Sequence, residues 1–197
     1  ADGQLSSVSA RAEAVGGPRP MSLPGDGAVR ALGVGAATFV LREDGSLLSW
    51  GANPTIGRTS SMFPDPHPQH VALPSLFMID VADDNACATA GGTGYCWGSP
   101  IVPPRPDNGS PLERALPIPV VVPEPVVQIA TTRSYELDDG SWQKYRWCAS
   151  TVSGAVYCWG SNESGQAGDG TQTYALDPVK VKGLAERVAV VKATPST

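Results

Sequence analysis

The sequence lacks the features that most enzymes and nucleic-acid binders need. It has only two histidines, His67 and His70, both in one Pro-rich loop, so a Ser-His-Asp triad is not expected. No Gly-x-Ser-x-Gly elbow, His-Glu-x-x-His pattern or P-loop occurs. Basic residues number 14 against 19 acidic ones, and the net charge of −5 argues against nucleic-acid binding. We therefore expect no catalytic residue, no cofactor and no nucleic-acid partner.

Long apolar runs and long helical patterns are also missing. No apolar run approaches the roughly 18 residues that cross a bilayer, so no membrane span is expected. Glycine and proline are abundant, at 22 and 19 residues, yet the apolar fraction of 41% is too high for a disordered chain. Short apolar runs between Gly and Pro turns predict an all-β fold.

Four cysteines form two pairs, Cys87 with Cys96 and Cys148 with Cys158, separated by eight and nine residues. Each pair brackets a Gly-containing turn between two short strands, which favours cross-strand disulfides within hairpins and an oxidising compartment. The alternative is four free, buried thiols. A zinc site would show close Cys-x-x-Cys pairs, and none occurs. The two histidines lie in a Pro-rich loop, which lacks the helical register that would direct both side chains to one metal ion. We expect no metal site and an extracellular or cell-surface protein.

A repeat organises the chain. Trp-Gly pairs fall at Trp50-Gly51, Trp97-Gly98 and Trp159-Gly160, with spacings of 47 and 62 residues. The third unit contains an insertion at 134–147, and removing about a dozen residues restores a period near fifty, the size of a four-stranded propeller blade. We interpret the Trp-Gly pairs as structural, with Trp packing between blades and Gly permitting the turn.

Each unit contains two strands, a Gly turn, a strand that ends in Trp-Gly, a loop and a Pro-flanked closing strand. The closing strands are predicted at 69–73, 118–122 and 178–181. The first unit carries Phe39 and Ser49 where the others carry cysteines, so the hairpin does not require the bridge. The predicted propeller region, 1–197, divides into the end of a blade (1–27), three full blades (28–74, 75–124, and 125–184 with the insertion) and the start of another (185–197).

Residues 148–184 resemble the regulator of chromosome condensation (RCC1) repeat. The matching positions are Gly154, Val156, Tyr157, Trp159, Gly160, Asn162, Gly165, Gln166, Gly168, Asp169, Gly170, Thr171, Pro178, Val181, Gly183 and Leu184. The paired cysteines look like those of the secreted bacterial branch of the family. The resemblance implies an RCC1-like β-propeller, which normally closes with about seven blades. Three blades form an incomplete or split ring, so the chain is a fragment, associates with itself or a second chain, or closes as a small irregular propeller.

The insertion carries the candidate binding site. It projects between the first and second strands of the third unit, and it is rich in the residue types that dominate binding hot spots. Asp139-Gly140 predicts a hairpin turn there. The candidate partner-binding residues are Arg133, Tyr135, Trp142, Lys144, Tyr145 and Arg146. The alternative is that the insertion packs on its own blade.

Two weaker features remain, a pair of glycosylation-pattern matches and a pair of acidic residues. Asn108 and Asn162 match the glycosylation pattern. Asp83 and Asp84 stand at a strand end, where we expect them to be solvated.

The sequence thus predicts a non-catalytic, extracytoplasmic protein-interaction module that uses one propeller face and the insertion. The alternative is a structural or assembly subunit of a surface or particle coat, whose ring is completed by another chain. A secreted protein inhibitor or a carbohydrate-active protein is a weaker interpretation.

Overall fold

The computed structural model describes residues 5–7, 19–98, 116–133, 135–136, 142–143 and 145–193. Strands β1 (Leu5–Ser7) and β2 (Arg19–Met21) form an antiparallel pair. The first four-stranded sheet contains β3 (Val29–Val34), β4 (Ala37–Arg42), β5 (Leu47–Gly51) and β6 (Asp65–His70). The second contains β7 (Met78–Ala82), β8 (Asn85–Ala90), β9 (Thr93–Gly98) and β10 (Ile118–Val120). The third contains β11 (Val126–Thr131), β14 (Arg146–Thr151), β15 (Val156–Gly160) and β16 (Ala175–Lys180), and β12 (Tyr135–Glu136) pairs with β13 (Trp142–Gln143).

These sheets confirm the predicted all-β fold of four-stranded blades in an unclosed ring. All strands within a sheet are antiparallel and lie in chain order. The described residues contain no helix, and hence none that is long and apolar enough to span a membrane. The closing strands β6 and β16 begin earlier than predicted, at Asp65 and Ala175 rather than at residues 69 and 178.

Both predicted disulfides are present. Cys87 is the register partner of Cys96, and Cys148 is the register partner of Cys158, so each bridge spans the two central strands of its blade. In the first blade the same position is occupied by the Phe39–Ser49 pair. The hairpin geometry therefore forms with or without a bridge.

The blades stack face to face, and each presents a leading face to the preceding blade and a trailing face to the following one. Between the first two blades, Phe39 and Leu41 of the trailing face pack against Ala88 and Trp97 of the next leading face. The rings of Phe39 and Trp97 meet edge to face, with centroids 5.8 Å apart. A second core between the next two blades contains Cys87 together with Ile129, Trp147, Trp159 and their neighbours. The hydrophobic core is thus divided into layers between blades.

The Trp-Gly pairs show why this dipeptide recurs. Trp97 is 2% exposed, and its indole N–H donates to the carbonyl of Thr55 in the preceding blade at 2.9 Å. The glycines that follow the three tryptophans have φ of 119°, 109° and 98°, a region that other residues rarely adopt. A Cβ at Gly160 would lie 2.5 Å from the carbonyl oxygen of Tyr145 and 2.9 Å from the Cα of Arg146. The motif therefore combines an interblade anchor with a close approach of two backbones.

A backbone hydrogen bond links each blade to the next. The N–H groups of Leu76, Val126 and Val188 donate to the hairpin-turn carbonyls of Gly45, Gly92 and Gly154, at 2.9, 2.7 and 3.1 Å respectively. Because the third of these bonds repeats the first two, residues 188–193 occupy the position of the first strand of a following blade.

The two ends of the blade stack carry different connections. In an antiparallel sheet with strands in chain order, the loops between first and second strands and between third and fourth strands lie at the same end. We call this the insertion end, because the described residues of the insertion (132–133, 135–136, 142–143 and 145) lie there together with the turn at 83–84 and the loops 52–64 and 161–174. The hairpin turns that contain the linking glycines lie at the opposite end.

Candidate binding face

A two-stranded ribbon extends from the third blade at the insertion end. Tyr135 is the register partner of Gln143, and Glu136 is the register partner of Trp142. The ribbon places the predicted binding residues Tyr135 and Trp142 on its two arms. Lys144 and the predicted Asp139-Gly140 turn lie outside the described residues. The arms of the hairpin are therefore as the sequence predicted.

The base of the ribbon is fixed to the blade by hydrogen bonds. The Thr132 N–H donates to the Arg146 carbonyl at 3.1 Å, and the Arg146 N–H donates to the Thr132 hydroxyl at 3.1 Å. The Ser161 N–H donates to the Tyr145 carbonyl at 2.9 Å, which connects the base to the loop after the Trp-Gly pair. The ribbon thus starts and ends on ordered backbone.

An aromatic stack supports this base. The rings of Tyr145 and Trp147 are stacked with centroids 6.1 Å apart, and Trp147 stacks in turn on Trp159 at 6.3 Å. Trp147 and Trp159 are buried, whereas Tyr145 is only partly buried. The stack therefore runs from the interblade core to the surface of the insertion end.

Asp84 joins the insertion to the preceding blade. The Tyr145 hydroxyl lies 2.8 and 2.7 Å from the two carboxylate oxygens of Asp84 and donates to that carboxylate. The Asp84 backbone carbonyl accepts from the Thr55 hydroxyl of the first blade at 2.9 Å. One residue of the second blade thus contacts both neighbouring blades at the insertion end.

The expectation that Asp84 is simply solvated was wrong. It lies at the end of a strand, but stacking of the blades brings Tyr145 from 61 residues away onto its carboxylate. Burial raises the pKa of the Asp84 carboxyl, and the hydrogen bond from Tyr145 opposes that rise. For Tyr145 the structure shows the packing arrangement that the sequence left as the alternative, because its ring and hydroxyl both contact the body of the propeller.

Two further candidate residues lie beside the ribbon. Arg133 is exposed immediately before it. Arg146 is partly buried immediately after it, where it is the register partner of Gly160. Arg133 therefore presents its side chain to solvent next to the ribbon, and partner binding by the candidate residues as a set stays a prediction.

Buried polar contacts beneath the ribbon hold the second and third blades together. The Thr131 hydroxyl donates to the side-chain oxygen of Asn85, and the Asn85 amide donates to the Thr132 carbonyl at 3.3 Å. The Thr131 N–H donates to the Asp80 carboxylate at 2.8 Å, and burial raises the pKa of that carboxyl. Sequence reasoning missed these residues, because their partners are 46 to 51 residues away in the chain.

Asp65, which lies just before the two histidines in the chain, organises the loop that leads into β6. Its carboxylate accepts from the Arg58 guanidinium at 2.8 Å and from the Ser60 hydroxyl at 2.7 Å, and both ion-pair side chains are buried. The His67 backbone N–H donates to it at 2.9 Å and is the largest of the influences that hold the pKa of Asp65 far below its usual range. The carboxylate therefore stabilises the start of β6.

Asn162 is a structural residue rather than an accessible glycosylation site. It is fully buried, its amide donates to the Thr171 and Thr173 carbonyls at 3.2 and 3.0 Å, and its oxygen accepts from the Ala167 N–H at 2.8 Å. The glycosylation pattern at this position was misleading because the same amide closes the loop. The other match, Asn108, lies outside the described residues.

Comparison with known proteins identifies the repeat. Residues 153–194 match the family model described as the regulator of chromosome condensation (RCC1) repeat. No curated protein sequence matches the chain. The fold is similar to that of yeast RCC1 (Prp20) bound to Kap60, with a TM-score of 0.68 and 20% identity over 90% of this chain and 42% of that one.

Two further solved structures have a similar fold. Human WBSCR16 has a TM-score of 0.64 and 18% identity, over 89% of this chain and 45% of its own. Prp20p from Saccharomyces cerevisiae, a structure described together with its binding to Gsp1p and histones, has a TM-score of 0.62 and 19% identity, over 85% of this chain and 41% of its own. The chain therefore spans less than half the length of the structures it matches, and the likeness shows the propeller fold.

Proposed function

Since the chain contains an RCC1 repeat and has the RCC1 β-propeller fold, we propose that it is a non-catalytic protein-interaction module that binds its partner at the insertion end. The observation that carries this proposal is the pair of ribbon strands, β12 and β13, and their anchored base. A short ribbon that is fixed by Tyr145 and backbone hydrogen bonds loses less conformational entropy on binding than a free loop does.

The residue content of the ribbon supports a protein partner. Tyr135, Trp142 and Arg133 are of the types enriched in interface hot spots. The two Prp20 structures concern protein partners of Prp20, which are Kap60 in one case and Gsp1p and histones in the other. For this chain the proposal is limited to a protein surface that accepts an aromatic and cationic ribbon.

The carboxylates of the described insertion end support a role without catalysis. A retaining or inverting glycosidase, for example, needs one carboxylic acid and one carboxylate flanking an open cleft. Here Asp84 accepts from Tyr145 and Asp65 accepts from Arg58 and Ser60, so these groups serve blade contacts and loop structure.

The proposed location is extracytoplasmic, at the cell surface or outside the cell. Two bridges across adjacent strands, Cys87–Cys96 and Cys148–Cys158, support it, because disulfides persist in oxidising compartments. The resemblance of the cysteine pairs to those of secreted bacterial members points the same way.

The second candidate function is an assembly subunit whose ring is completed by another chain. The observation that favours it is the exposure of Leu32 and Val34 on the leading face of the first blade, where an adjoining blade would pack. A secreted inhibitor would use the same binding end as the first proposal, and the test below would identify its target enzyme as the partner.

The test is site-specific photo-crosslinking. A photoreactive amino acid replaces Trp142 in one sample and Leu176, which is exposed on the closing strand β16, in the matched control. We expect a defined protein adduct from position 142 only. Affinity for the purified partner should then fall at least tenfold in Trp142→Ala, with the unfolding temperature unchanged. Equal adducts from both positions, or an unchanged affinity in Trp142→Ala and Tyr135→Ala, would contradict binding through the ribbon.

A further inference from the structure

A groove lies in the third blade, at the end opposite the insertion. It is formed by the hairpin turn at 153–156 and by the connection at 180–187 that leads to the next first strand. Its volume is about 470 Å³, within the range of roughly 300–1,000 Å³ that is usual for ligand sites. The groove is therefore large enough to hold a short segment of another molecule.

The second blade has the same groove, formed by its own hairpin turn and connection. Residues 91–93 and 120–125 line it, and its volume is about 350 Å³. The third blade follows this groove directly and leaves it open. An adjoining blade therefore does not cover a groove of this kind.

Equivalent residues of the three blades can be compared at this groove. Register with the third strand of each blade relates three closing-strand residues, which are His70, Pro119 and Lys180. The residues two positions later are Ala72, Val121 and Lys182. A Cβ on the linking glycine of each hairpin turn would lie nearest to Ser75, Pro125 and Arg187, respectively. Lysine or arginine thus occupies all three positions in the third blade and none of them in the other two.

The three cations of the third blade are available to a ligand. Lys180, Lys182 and Arg187 are exposed. The Arg187 guanidinium is held in place, because it donates to the Val152 carbonyl at 2.6 Å. Among the described residues, no carboxylate forms an ion pair with any of the three.

Two carboxylates lie close to these cations and do not cancel their charge. Glu186 lines the groove. Glu124 lies beside it, and the pKa of its carboxyl is lowered chiefly by a hydrogen bond from Ser153 and also by the charge of Lys180. The groove therefore keeps an excess of positive charge in a chain whose net charge is −5.

The lining of the groove is also partly apolar. Val156, Val181 and Leu184 contribute to it, and Leu184 is 47% exposed. An exposed leucine between lysines and an arginine can contact an apolar side chain while the cations contact acidic neighbours of that side chain.

We propose that this groove binds an extended, acidic segment of another protein that also carries an apolar side chain. Lys180, Lys182 and Arg187 contact the carboxylates of the segment, and Leu184 contacts its apolar side chain. A phosphorylated or sulfated polymer would use the cations alone, so the apolar lining favours a peptide. This inference goes beyond partner binding at the insertion end, and neither proposal depends on the other, because the two sites lie at opposite ends of the blade stack.

The first test is fluorescence anisotropy with the labelled peptide Gly-Glu-Leu-Glu-Leu-Glu-Gly. We expect saturable binding that is lost in about 1 M salt, where the screening length falls to about 3 Å. The same peptide with glutamine in place of glutamate should not bind.

Charge reversal then locates the site. Lys182→Glu and Arg187→Glu should each weaken binding at least about fivefold, because an attractive contact becomes a repulsive one. Arg30→Glu is the matched control, since Arg30 is also exposed and its replacement changes the net charge equally, but it lies in the first blade. It should weaken binding by less than about twofold.

A second pair of variants tests the apolar contact. Leu184→Ser should weaken binding of the leucine peptide about fivefold and leave unchanged the binding of a peptide with glycine in place of leucine. Leu176→Ser is the control, because Leu176 is 51% exposed on the closing strand β16 and does not line the groove.

Three results would overturn the proposal: no saturable binding of the acidic peptide, an equal loss in Arg30→Glu, or an unchanged affinity for the leucine peptide in Leu184→Ser. Binding of inorganic polyphosphate without binding of the peptide would overturn a protein segment as the occupant. Circular dichroism checks that each variant is folded, and Lys182→Glu decides the matter if Arg187→Glu does not fold.

Discussion

The glycine after the third tryptophan offers a sharp test of why the repeat has its sequence. Gly160 has φ of 98°, and a Cβ there would meet the Tyr145 carbonyl oxygen at 2.5 Å, the Arg146 Cα at 2.9 Å and the Trp147 ring at 3.1 Å. Gly170, in the same repeat, has φ of 82° and open space around its would-be Cβ. Alanine substitution therefore introduces backbone strain at both positions, whereas steric overlap occurs at Gly160 alone.

The expected magnitudes follow from this difference. A left-handed conformation costs a residue with a Cβ about 1–2 kcal/mol, and Gly170→Ala should cost that amount. Gly160→Ala should cost about 1–3 kcal/mol more, because backbone atoms of β14 must move to admit the methyl group. Guanidinium unfolding followed by tryptophan fluorescence measures both variants, since Trp147 and Trp159 lie beside Gly160. Costs that agree within about 0.5 kcal/mol would refute the close backbone approach as the reason for this glycine.

Three other changes test different contacts. Asp65→Asn should lower the free energy of unfolding by about 3–5 kcal/mol in chemical denaturation, because it leaves the buried Arg58 without its counter-charge; a loss under 1 kcal/mol would contradict the pair. Replacing both Cys148 and Cys158 by Ala should lower the free energy of unfolding by about 2–4 kcal/mol. The far-UV spectrum should be retained, since the first blade folds the same hairpin with Phe39 and Ser49. An unchanged unfolding temperature would argue against the bridge. The pKa of Asp84 is raised in the folded state, so its contribution to stability should decline as pH rises from the ordinary value of 3.8 through that raised pKa. Asp84→Asn should remove this slope in a pH series of unfolding free energies, and a slope identical in both proteins would contradict the assignment.

The features that the sequence predicted are those that repeat. The Trp-Gly pairs and the two cysteine pairs can be recognised from local sequence, because each depends on residues of one hairpin and recurs at the period of a blade. The ribbon was also predictable, since an insertion is visible as a break in that period. The same reasoning identified Phe39 and Ser49 as the unbridged equivalents of the cysteines, and the register confirms it.

The features that the sequence did not predict are contacts between blades and within loops. The sequence suggests that Asp84 is a solvated residue at a strand end. In the folded chain Tyr145 of the third blade, 61 residues later, donates a hydrogen bond to its carboxylate. The sequence suggests that Asn162 is accessible. In the structure its buried amide closes a loop by donating to the carbonyls of Thr171 and Thr173. The early start of β6 has a similar cause, because Asp65 is held by Arg58 and Ser60 rather than by a pattern of apolar residues. Propensity and periodicity carry no information on such partners.

Hydrogen exchange of the backbone, with and without the partner bound, tests the proposed binding end most directly. We expect new protection in 132–147 and in the adjoining loop 161–174, with little change in the hairpin turns around Gly92 and Gly154 at the opposite end. Protection confined to those hairpin turns, or to the closing strands, would contradict the proposal that the insertion end binds the partner.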